Sequence, residues 1–389
     1  MSVSVKSRRS RFGSALAVVL TVLVVLPTAV LFLRVLNENT TQRDDTELKQ
    51  KGIEYLAELA PLISALAESQ SSALQGVTAE PASLTAAVAR VQGVDENLGD
   101  DLDTSSRWAG LKEKIGRLPG ISGTAEQVYE AHIEVSDLAL ELYSEIRENS
   151  RLNQDQQSDI WYLQETVTVN MPEAVTHVSR MADLANMVAA AKERQRAALA
   201  VLFGAEIKAV EESVAELTDN LQAAAEDTES STLASNTVNN LDQFRQGVEN
   251  ANRGAHLGST PDVSVLVTAQ SSLTNALKAL STVLLKEMST LLEDRLDDLN
   301  YRRAEAWVML SVSIVLLIGA AFVARGRAAR TGLDSGMSGR DVSVLSDAPG
   351  NSAPASNGYG NSPYDPVPAY GDNPNYGSGA GRERSGALR

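Results

Sequence analysis

The chain has 389 residues, of which 43% are hydrophobic, 22% are charged and only 4% are aromatic. It contains no cysteine, which excludes disulfides, thiolate catalysis and cysteine-ligated metals. The formal net charge of −16 is concentrated between two basic ends, and so acidic a central region argues against nucleic acid as a partner.

The N-terminus predicts a membrane anchor. Residues 1–11 are basic, with Lys6, Arg8, Arg9 and Arg11, and residues 12–33 are uncharged and mostly apolar. About 20 apolar residues cross the roughly 30 Å hydrocarbon layer of a bilayer, so residues 12–33 are predicted as transmembrane helix 1. The alternative is a cleaved signal peptide, but the apolar run is longer than usual and no small-residue cleavage site closes it.

Residues 34–305 show helical periodicity. Residues at helical spacing, Leu56, Leu59, Ile63, Leu66, Gln70 and Leu74, recur every three or four positions and are apolar apart from Gln70. A heptad-like register follows at Leu273, Leu277, Leu280, Leu284 and Leu291. Breaks are predicted near residues 76–81, 118–120, 149–155, 227–231 and 254–261, and Thr124 has the position of a helix N-cap.

A second uncharged stretch, residues 306–324, predicts transmembrane helix 2. Basic residues precede the first span and follow the second, so the positive-inside rule places both termini in the cytoplasm and residues 34–305 outside the cell (inner) membrane. The predicted fold is all-α, with two spans flanking an elongated extracytoplasmic helical bundle, expected as two bundles stacked end to end. The first helix is expected to reach Gly76, and the last to run from Pro261 to Ala324.

Residues 325–389 have the Gly- and Pro-rich composition of a disordered cytoplasmic tail. Two sets of residues here are candidates for contact with a cytoplasmic partner: Arg325, Arg327 and Arg330, and then Tyr359, Tyr364, Tyr370 and Tyr376. The alternative is a solvated tail without a docking role.

One candidate docking site lies at the predicted hairpin around residues 150–155. Tyr143 and Tyr162 are equally far from this turn, which places them at one level of two antiparallel helices. With Arg147 and Trp161 they form the densest aromatic and cationic cluster of an aromatic-poor region. Arg147 could engage a carboxylate while the rings enclose the ligand; the alternative is a packed hairpin end with Arg147 in solvent.

No catalytic motif stands out, so an enzyme is not expected. His132 and His177 lack a third nearby ligand, which argues against a metal site, and no cofactor is predicted. Acidic runs such as Glu211-Glu212 and Asp297-Asp298 are typical of solvated helix faces.

Residues 107–188 resemble the long helical external regions of bacterial chemoreceptors and related membrane sensors. The residues that carry the resemblance are Trp108, Leu111, the stretch 129–132, the leucine helix 138–146, Asn149-Ser150-Arg151-Leu152, the stretch 159–163 and Met171-Pro172-Glu173. Those families tend to have an Asn-Ser-x-Leu turn, an Asp-rich stretch, an aromatic pair and then Leu-Pro. Here glutamines dilute the Asp-rich stretch, and Met171 replaces the leucine.

The overall plan is similar to that of actinobacterial membrane sensors of the GlnX type. This resemblance implies an external amino-acid-binding lipoprotein (GlnH) or a small amino-acid-like ligand as one partner, and cytoplasmic protein kinase G as the other. The chain is therefore expected to be a signal-transducing sensor subunit in the bilayer, and a homodimer is compatible with its thin membrane domain. The alternative is a non-signalling helical scaffold or spacer of the cell envelope; a transporter is disfavoured because the spans carry no charge.

Overall fold

The computed structural model describes residues 6–155, 158–227, 231–255 and 261–333; side chains at residues 6–21, 24, 159, 231–241, 243 and 323–333 lie outside this description. All regular structure in these residues is helical, which confirms the predicted all-α class. The chain divides into a unit of residues 1–322 and a unit of residues 323–389, and in the second only the helical backbone of 323–333 is described. The tail predicted as disordered lies outside the described residues.

The described residues form helices α1 (Lys6–Leu74), α2 (Ala82–Leu98), α3 (Ser105–Arg117), α4 (Ala125–Asn149), α5 (Ser158–Glu165), α6 (Met171–Ala190), α7 (Glu193–Asp227), α8 (Ser231–Ala255) and α9 (Val263–Leu333). A 3₁₀ turn, Leu118–Gly120, follows α3, and a π-helical segment, Thr166–Asn170, joins α5 to α6. The predicted breaks near residues 76–81, 118–120 and 149–155 coincide with connections between these helices. The breaks near residues 227–231 and 254–261 lie mostly outside the described residues. Thr124 is the N-cap of α4, where it forms a capping box with Gln127, as predicted.

Two long antiparallel helices frame the bundle. At 1.5 Å per residue, α1 and α9 are each roughly 105 Å long. They meet where Asn39 Nδ2 donates a hydrogen bond to the carbonyl of Leu299 at 3.1 Å, and where the rings of Phe32 and Trp307 pack edge to face with centroids 5.6 Å apart. We call this end of the bundle the base, and the opposite end, which includes the 75–81 and 118–124 connections, the tip.

Helices α2, α4 and α6 pack along the same length of α1. In the middle of this length, the hydroxyl of Tyr55 on α1 donates to Asp95 on α2 at 3.0 Å. Near the tip, Gln70 on α1 donates to Asp183 on α6 at 2.9 Å. Helix α7 packs against α5 and α6, and α8 packs against α7. The expectation of two bundles stacked end to end stays a prediction.

The core consists of the predicted apolar stripes. Leu56, Leu59, Ile63 and Leu66 of α1 are buried, as are Leu273, Leu277, Leu280 and Leu284 of α9. Each fully buried leucine or isoleucine contributes about 1.5–3 kcal/mol by removal of its side chain from water. The periodicity of the sequence thus identified the buried faces of both long helices.

One of the described helices is long and apolar enough to cross a membrane. Within α9, the segment Val263–Phe322 contains a window with a mean hydropathy of 2.0, and none of that window is buried. Its side chains include Val308, Val315, Leu316 and Phe322, each more than half exposed. An unburied apolar surface of this extent is typical of a helix solvated by lipid.

The buried carboxyl of Asp183 predicts a pH-dependent stability. Its side chain is almost fully enclosed, and burial raises its pKa to about 6, against the opposing effect of hydrogen bonds from Gln70 and Ser71. A folded-state pKa above the unfolded value means that this group favours folding most below pH 4, and that its contribution is lost as the pH rises towards 6. Asp183→Asn keeps an acceptor for Gln70, so we expect it to raise the free energy of unfolding at pH 7 by about 2 kcal/mol.

The measurement is denaturant unfolding of the purified chain in mild detergent at pH 4 and at pH 7. The free energy of unfolding of Asp183→Asn should exceed that of wild type at pH 7 and equal it at pH 4. Asp137→Asn is the control, because Asp137 is half exposed and paired with Arg180. A gain of the same size at both pH values would contradict the assignment to Asp183.

Candidate functional site

The four residues of the predicted docking cluster have different environments in the structure. Tyr143 is buried in the core, and this burial raises the pKa of its hydroxyl above the ordinary value, so the group stays neutral. Arg147 is paired with Glu165 of α5, so its guanidinium is already engaged by a carboxylate of the same chain. Both side chains therefore contribute to the packing of α4 against neighbouring helices.

Trp161 and Tyr162 form an aromatic pair on α5. Their rings pack edge to face with centroids 5.1 Å apart; Trp161 is 37% exposed, whereas Tyr162 is partly buried against the core. The predicted reversal between α4 and α5 exists, and Arg147 and Glu165 pair across it. Tyr143 lines the large groove described below, and the docking role of the four residues stays a prediction.

The predicted contacts with a cytoplasmic partner are not described at the level of side chains. Arg325, Arg327 and Arg330 belong to the last turns of the α9 backbone. Tyr359, Tyr364, Tyr370 and Tyr376 lie outside the described residues, so these assignments stay predictions.

A buried ion cluster near the base joins the two long helices. Asp155, in the connection between α4 and α5, accepts from Lys49 Nζ of α1 at 2.5 Å. The same carboxylate accepts from Arg295 of α9, with Nη1 to Oδ2 at 2.9 Å and Nη2 to Oδ1 at 3.2 Å. We call Lys49, Asp155 and Arg295 the Asp155 cluster. The carboxylate has no exposed surface, and the Lys49 side chain is only 6% exposed.

The turn that carries Asp155 is held tightly against α1. Lys49 Nζ also donates to the carbonyl of Gln154 at 2.6 Å. Arg151 adopts a positive φ of 59°, a conformation that is uncommon for a residue other than glycine, and its side chain pairs with Asp45 of α1. Gly52 of α1 leaves room for this turn, because a Cβ atom there would lie 2.5 Å from the Cβ of Ser150.

The Asp155 cluster has a mechanical consequence. Because one carboxylate bonds both long helices, a movement of residues 150–155 would change the constraint on α1 and on α9 together. A buried charge is costly to leave unpaired, so the cluster favours arrangements in which all three groups stay in contact. The site therefore links the packing of the bundle to the relative position of the two helices that leave its base.

Above the base, α1 and α9 separate and enclose a groove of about 1390 Å³. We call it the α1–α9 groove. Its α1 wall extends from Glu47 to Ser71 and its α9 wall from Gln270 to Leu296, a length of about 36 Å along α1. Tyr143, Val167, Met171 and Val175 line it as well. This volume exceeds the ~300–1,000 Å³ of ordinary small-molecule pockets.

Two prolines shape the surface of this groove. Pro61 lies within α1, and a proline inside a helix leaves the carbonyl four residues earlier without its usual donor. Pro172 follows the π-helical segment, in which the N–H of Met171 bonds to the carbonyl of Thr166. Both prolines line the groove, so the groove borders a proline in each of two helices.

Neither the Asp155 cluster nor the groove was predicted from the sequence. The partners of Asp155 lie 106 and 140 residues away along the chain, and nothing local distinguishes Lys49 or Arg295 from other charged helix residues. The available signal was the Asn149–Asp155 break itself, which the resemblance to sensor regions had already singled out.

Comparisons of the chain with protein-family models, with curated proteins and with solved structures find no match.

Proposed function

We propose that this chain is a transmembrane sensor subunit that couples an external binding event to a separate cytoplasmic partner. The observation that carries the proposal is the Asp155 cluster, in which one buried carboxylate bonds α1 and α9 where both helices leave the bundle. A binding event that shifts the connection between α4 and α5 would alter both helices, and packed helices transmit such shifts by sliding or rotating.

The proposed placement has residues 12–33 and 306–324 in the cell membrane, both termini in the cytoplasm and residues 34–305 outside. The apolar segment of α9 supports the second crossing. For the first crossing, the support is a run of exposed apolar side chains on α1, including Leu23, Leu26, Leu31 and Leu33. The basic residues at both cytoplasmic ends are consistent with the positive-inside rule.

The proposed partners follow from the resemblance to chemoreceptor-like and GlnX-type sensors. Outside the membrane, the partner is an amino-acid-binding lipoprotein or an amino-acid-like ligand. A lipoprotein would dock at Trp161, which is 37% exposed and packs edge to face on the partly buried Tyr162, because aromatic residues are frequent anchors at protein interfaces. Inside, a kinase would read the end of α9 around Arg325, Arg327 and Arg330 or the tyrosine-containing tail.

A flexible insertion tests the coupling. We expect four glycines inserted after Asn300 to abolish signalling, because they break α9 between the Asp155 cluster and the proposed span. Four alanines at the same place keep the helix and are expected to retain part of the response. The measurement is the change in cytoplasmic protein phosphorylation after amino acids are added to cells that lack the chain and are complemented with each variant.

Two outcomes would overturn the proposal. If the glycine insertion responds like wild type, the helices do not transmit the signal. If wild type restores no phosphorylation response and the complemented cells differ from the deletion only in envelope integrity, the chain is a helical scaffold and not a sensor.

A further inference from the structure

A small cavity lies at the tip of the bundle. We call it the tip cavity: it has a volume of about 50 Å³ and lies between the end of α1, the 75–81 connection, the turn after α3 and the first two turns of α4. One water molecule needs roughly 10–15 Å³, and ordinary small-molecule pockets have ~300–1,000 Å³. The tip cavity therefore has room for a group of only a few atoms.

One wall of the tip cavity contains a hydrogen-bond acceptor, the imidazole of His132. This residue is 4% exposed, and its Nδ1 donates to the carbonyl of Val128 at 2.9 Å, which leaves Nε2 as the acceptor of the neutral ring. Burial lowers the pKa of His132, against the raising effect of the hydrogen bond to Val128, so the ring is neutral at pH 7. In the part of the chain that the structure describes, no side chain donates to Nε2.

Two further polar side chains line the tip cavity from other elements. Ser69 of α1 is 7% exposed, and its hydroxyl has no hydrogen-bond partner among the described residues. Glu80 of the 75–81 connection is exposed and accepts from the hydroxyl of Thr85 at 2.8 Å through Oε1, so Oε2 remains available. Since a buried polar group without a partner is costly, a ligand that donates to His132 and Ser69 would be stabilised.

The surroundings of the tip cavity favour a cation. Among the described residues that line it, Glu80 is charged and none is Lys or Arg. Helix α1 ends here at Leu74 without a basic residue in its last turn, and the C-terminal end of a helix attracts positive charge. A primary ammonium group has three N–H donors, which match the acceptors on His132, Ser69 and Glu80. The apolar part of the wall can cover a short alkyl group and includes Leu118, Pro119, Ile121 and Val128.

We propose that the tip cavity binds the ammonium group of a small amine, held by His132, Ser69 and Glu80. These residues belong to α4, to α1 and to the 75–81 connection, so the ligand would join three elements at the end of the bundle farthest from the base. The proposal concerns binding alone and depends neither on signalling nor on the membrane placement.

Methylammonium is the probe that tests this binding, because it is a small primary amine whose methyl protons give an NMR signal. The full chain is purified in mild detergent, and saturation transfer from the protein to the methyl group is measured at pH 7. A ligand with so few heavy atoms binds at best with about millimolar affinity, so the titration extends to ~100 mM. We expect saturable transfer that ammonium chloride abolishes. Tetramethylammonium has the same charge but no N–H donor, and it is expected not to compete.

Glycine added as a competitor distinguishes two sources of the ammonium group. If free glycine displaces methylammonium, the tip cavity receives the amino group of an amino acid. If ammonium displaces methylammonium and glycine does not, the ligand is a simple amine without a carboxylate. Both results support recognition of an ammonium group.

Two serine substitutions locate the binding. Ser69→Ala removes one acceptor of the ammonium group and is expected to weaken methylammonium binding by about tenfold or more, as is typical of hydrogen bonds to charged groups. Ser179→Ala is the matched control, because Ser179 of α6 is also buried and its hydroxyl also has no partner among the described residues, but it does not line the tip cavity. Neither substitution removes a hydrogen bond within the protein, so both variants are expected to unfold at the same denaturant concentration as wild type.

The proposal is overturned if methylammonium shows no saturable transfer, which would mean that the tip cavity holds water only. It is also overturned if tetramethylammonium competes as well as ammonium, because the attraction would then be to the net negative charge of the chain, or if Ser69→Ala and Ser179→Ala bind methylammonium equally. These measurements use purified protein and do not involve the phosphorylation response of complemented cells, so failed binding and a failed sensor are distinguished.

Discussion

Asp155→Ala is expected to lower the free energy of unfolding by about 3–5 kcal/mol, as is typical when one partner of a buried ion pair is removed. The carboxylate has no exposed surface and bonds two cations from different helices. Its removal leaves Lys49 only 6% exposed and without its charge partner. We would measure denaturant unfolding of the full chain in mild detergent by circular dichroism.

Two further variants make this prediction specific. Asp45→Asn removes the pair between Asp45 and Arg151, which joins α1 to the same turn but is 36% and 50% exposed, so we expect a loss of at most about 1 kcal/mol. Lys49→Met in the Asp155→Ala background removes the buried charge that Asp155→Ala leaves unpaired, and it should recover part of the lost free energy of unfolding. Equal losses for Asp155→Ala and Asp45→Asn would show that the Asp155 cluster does not hold the base together.

Gly52→Val is expected to cost about 3 kcal/mol through overpacking. A Cβ atom at this position would lie 2.5 Å from the Cβ of Ser150 and 2.9 Å from Cδ1 of Leu152. Neither neighbour can swing into solvent, because both residues are fully buried. The turn must therefore move away from α1, and this movement would also pull Asp155 away from Lys49.

Gly204→Val is the matched control, because Gly204 lies within α7 and a Cβ atom there would have nothing within 4 Å. Valine forms helix slightly better than glycine, so we expect a change of no more than about 0.5 kcal/mol in that variant. Thermal or denaturant unfolding of both variants under the same conditions gives the comparison. If Gly52→Val were as stable as Gly204→Val, the close approach of the turn to α1 would not exist in solution.

The candidate site was predicted from the sequence only in part. The spacing of Tyr143 and Tyr162 about a break correctly indicated a hairpin, which α4 and α5 form. The spacing did not reveal that Tyr143 faces the core or that Arg147 already has a carboxylate partner. The rotation of a helix about its axis depends on all the helices that surround it, and that information is not local.

Some helix boundaries were predicted from the sequence and others were missed. Breaks that contain glycine, proline or clustered Asn and Asp were predicted, because these residues restrict or release the backbone locally. The reversal between α6 and α7 was missed: only Ala191 and Lys192 separate these helices, and Ala191 is extended, with φ −70° and ψ 143°. The loop before α3 was also missed, although Asp103 adopts a positive φ of 52° there.

The sequence by itself determined the all-α class, the apolar faces of α1 and α9, and an apolar stretch of α9 able to cross a membrane. These properties follow from a 3.6-residue periodicity and from uninterrupted hydropathy, which are local. Only the tertiary structure decided that α2, α4 and α6 pack along α1, that Asp155 bonds both long helices, and that α1 and α9 part to form a groove. Those features depend on which helices pack together; the two partners of Asp155, for example, lie 106 and 140 residues away along the chain, and no local pattern encodes such contacts.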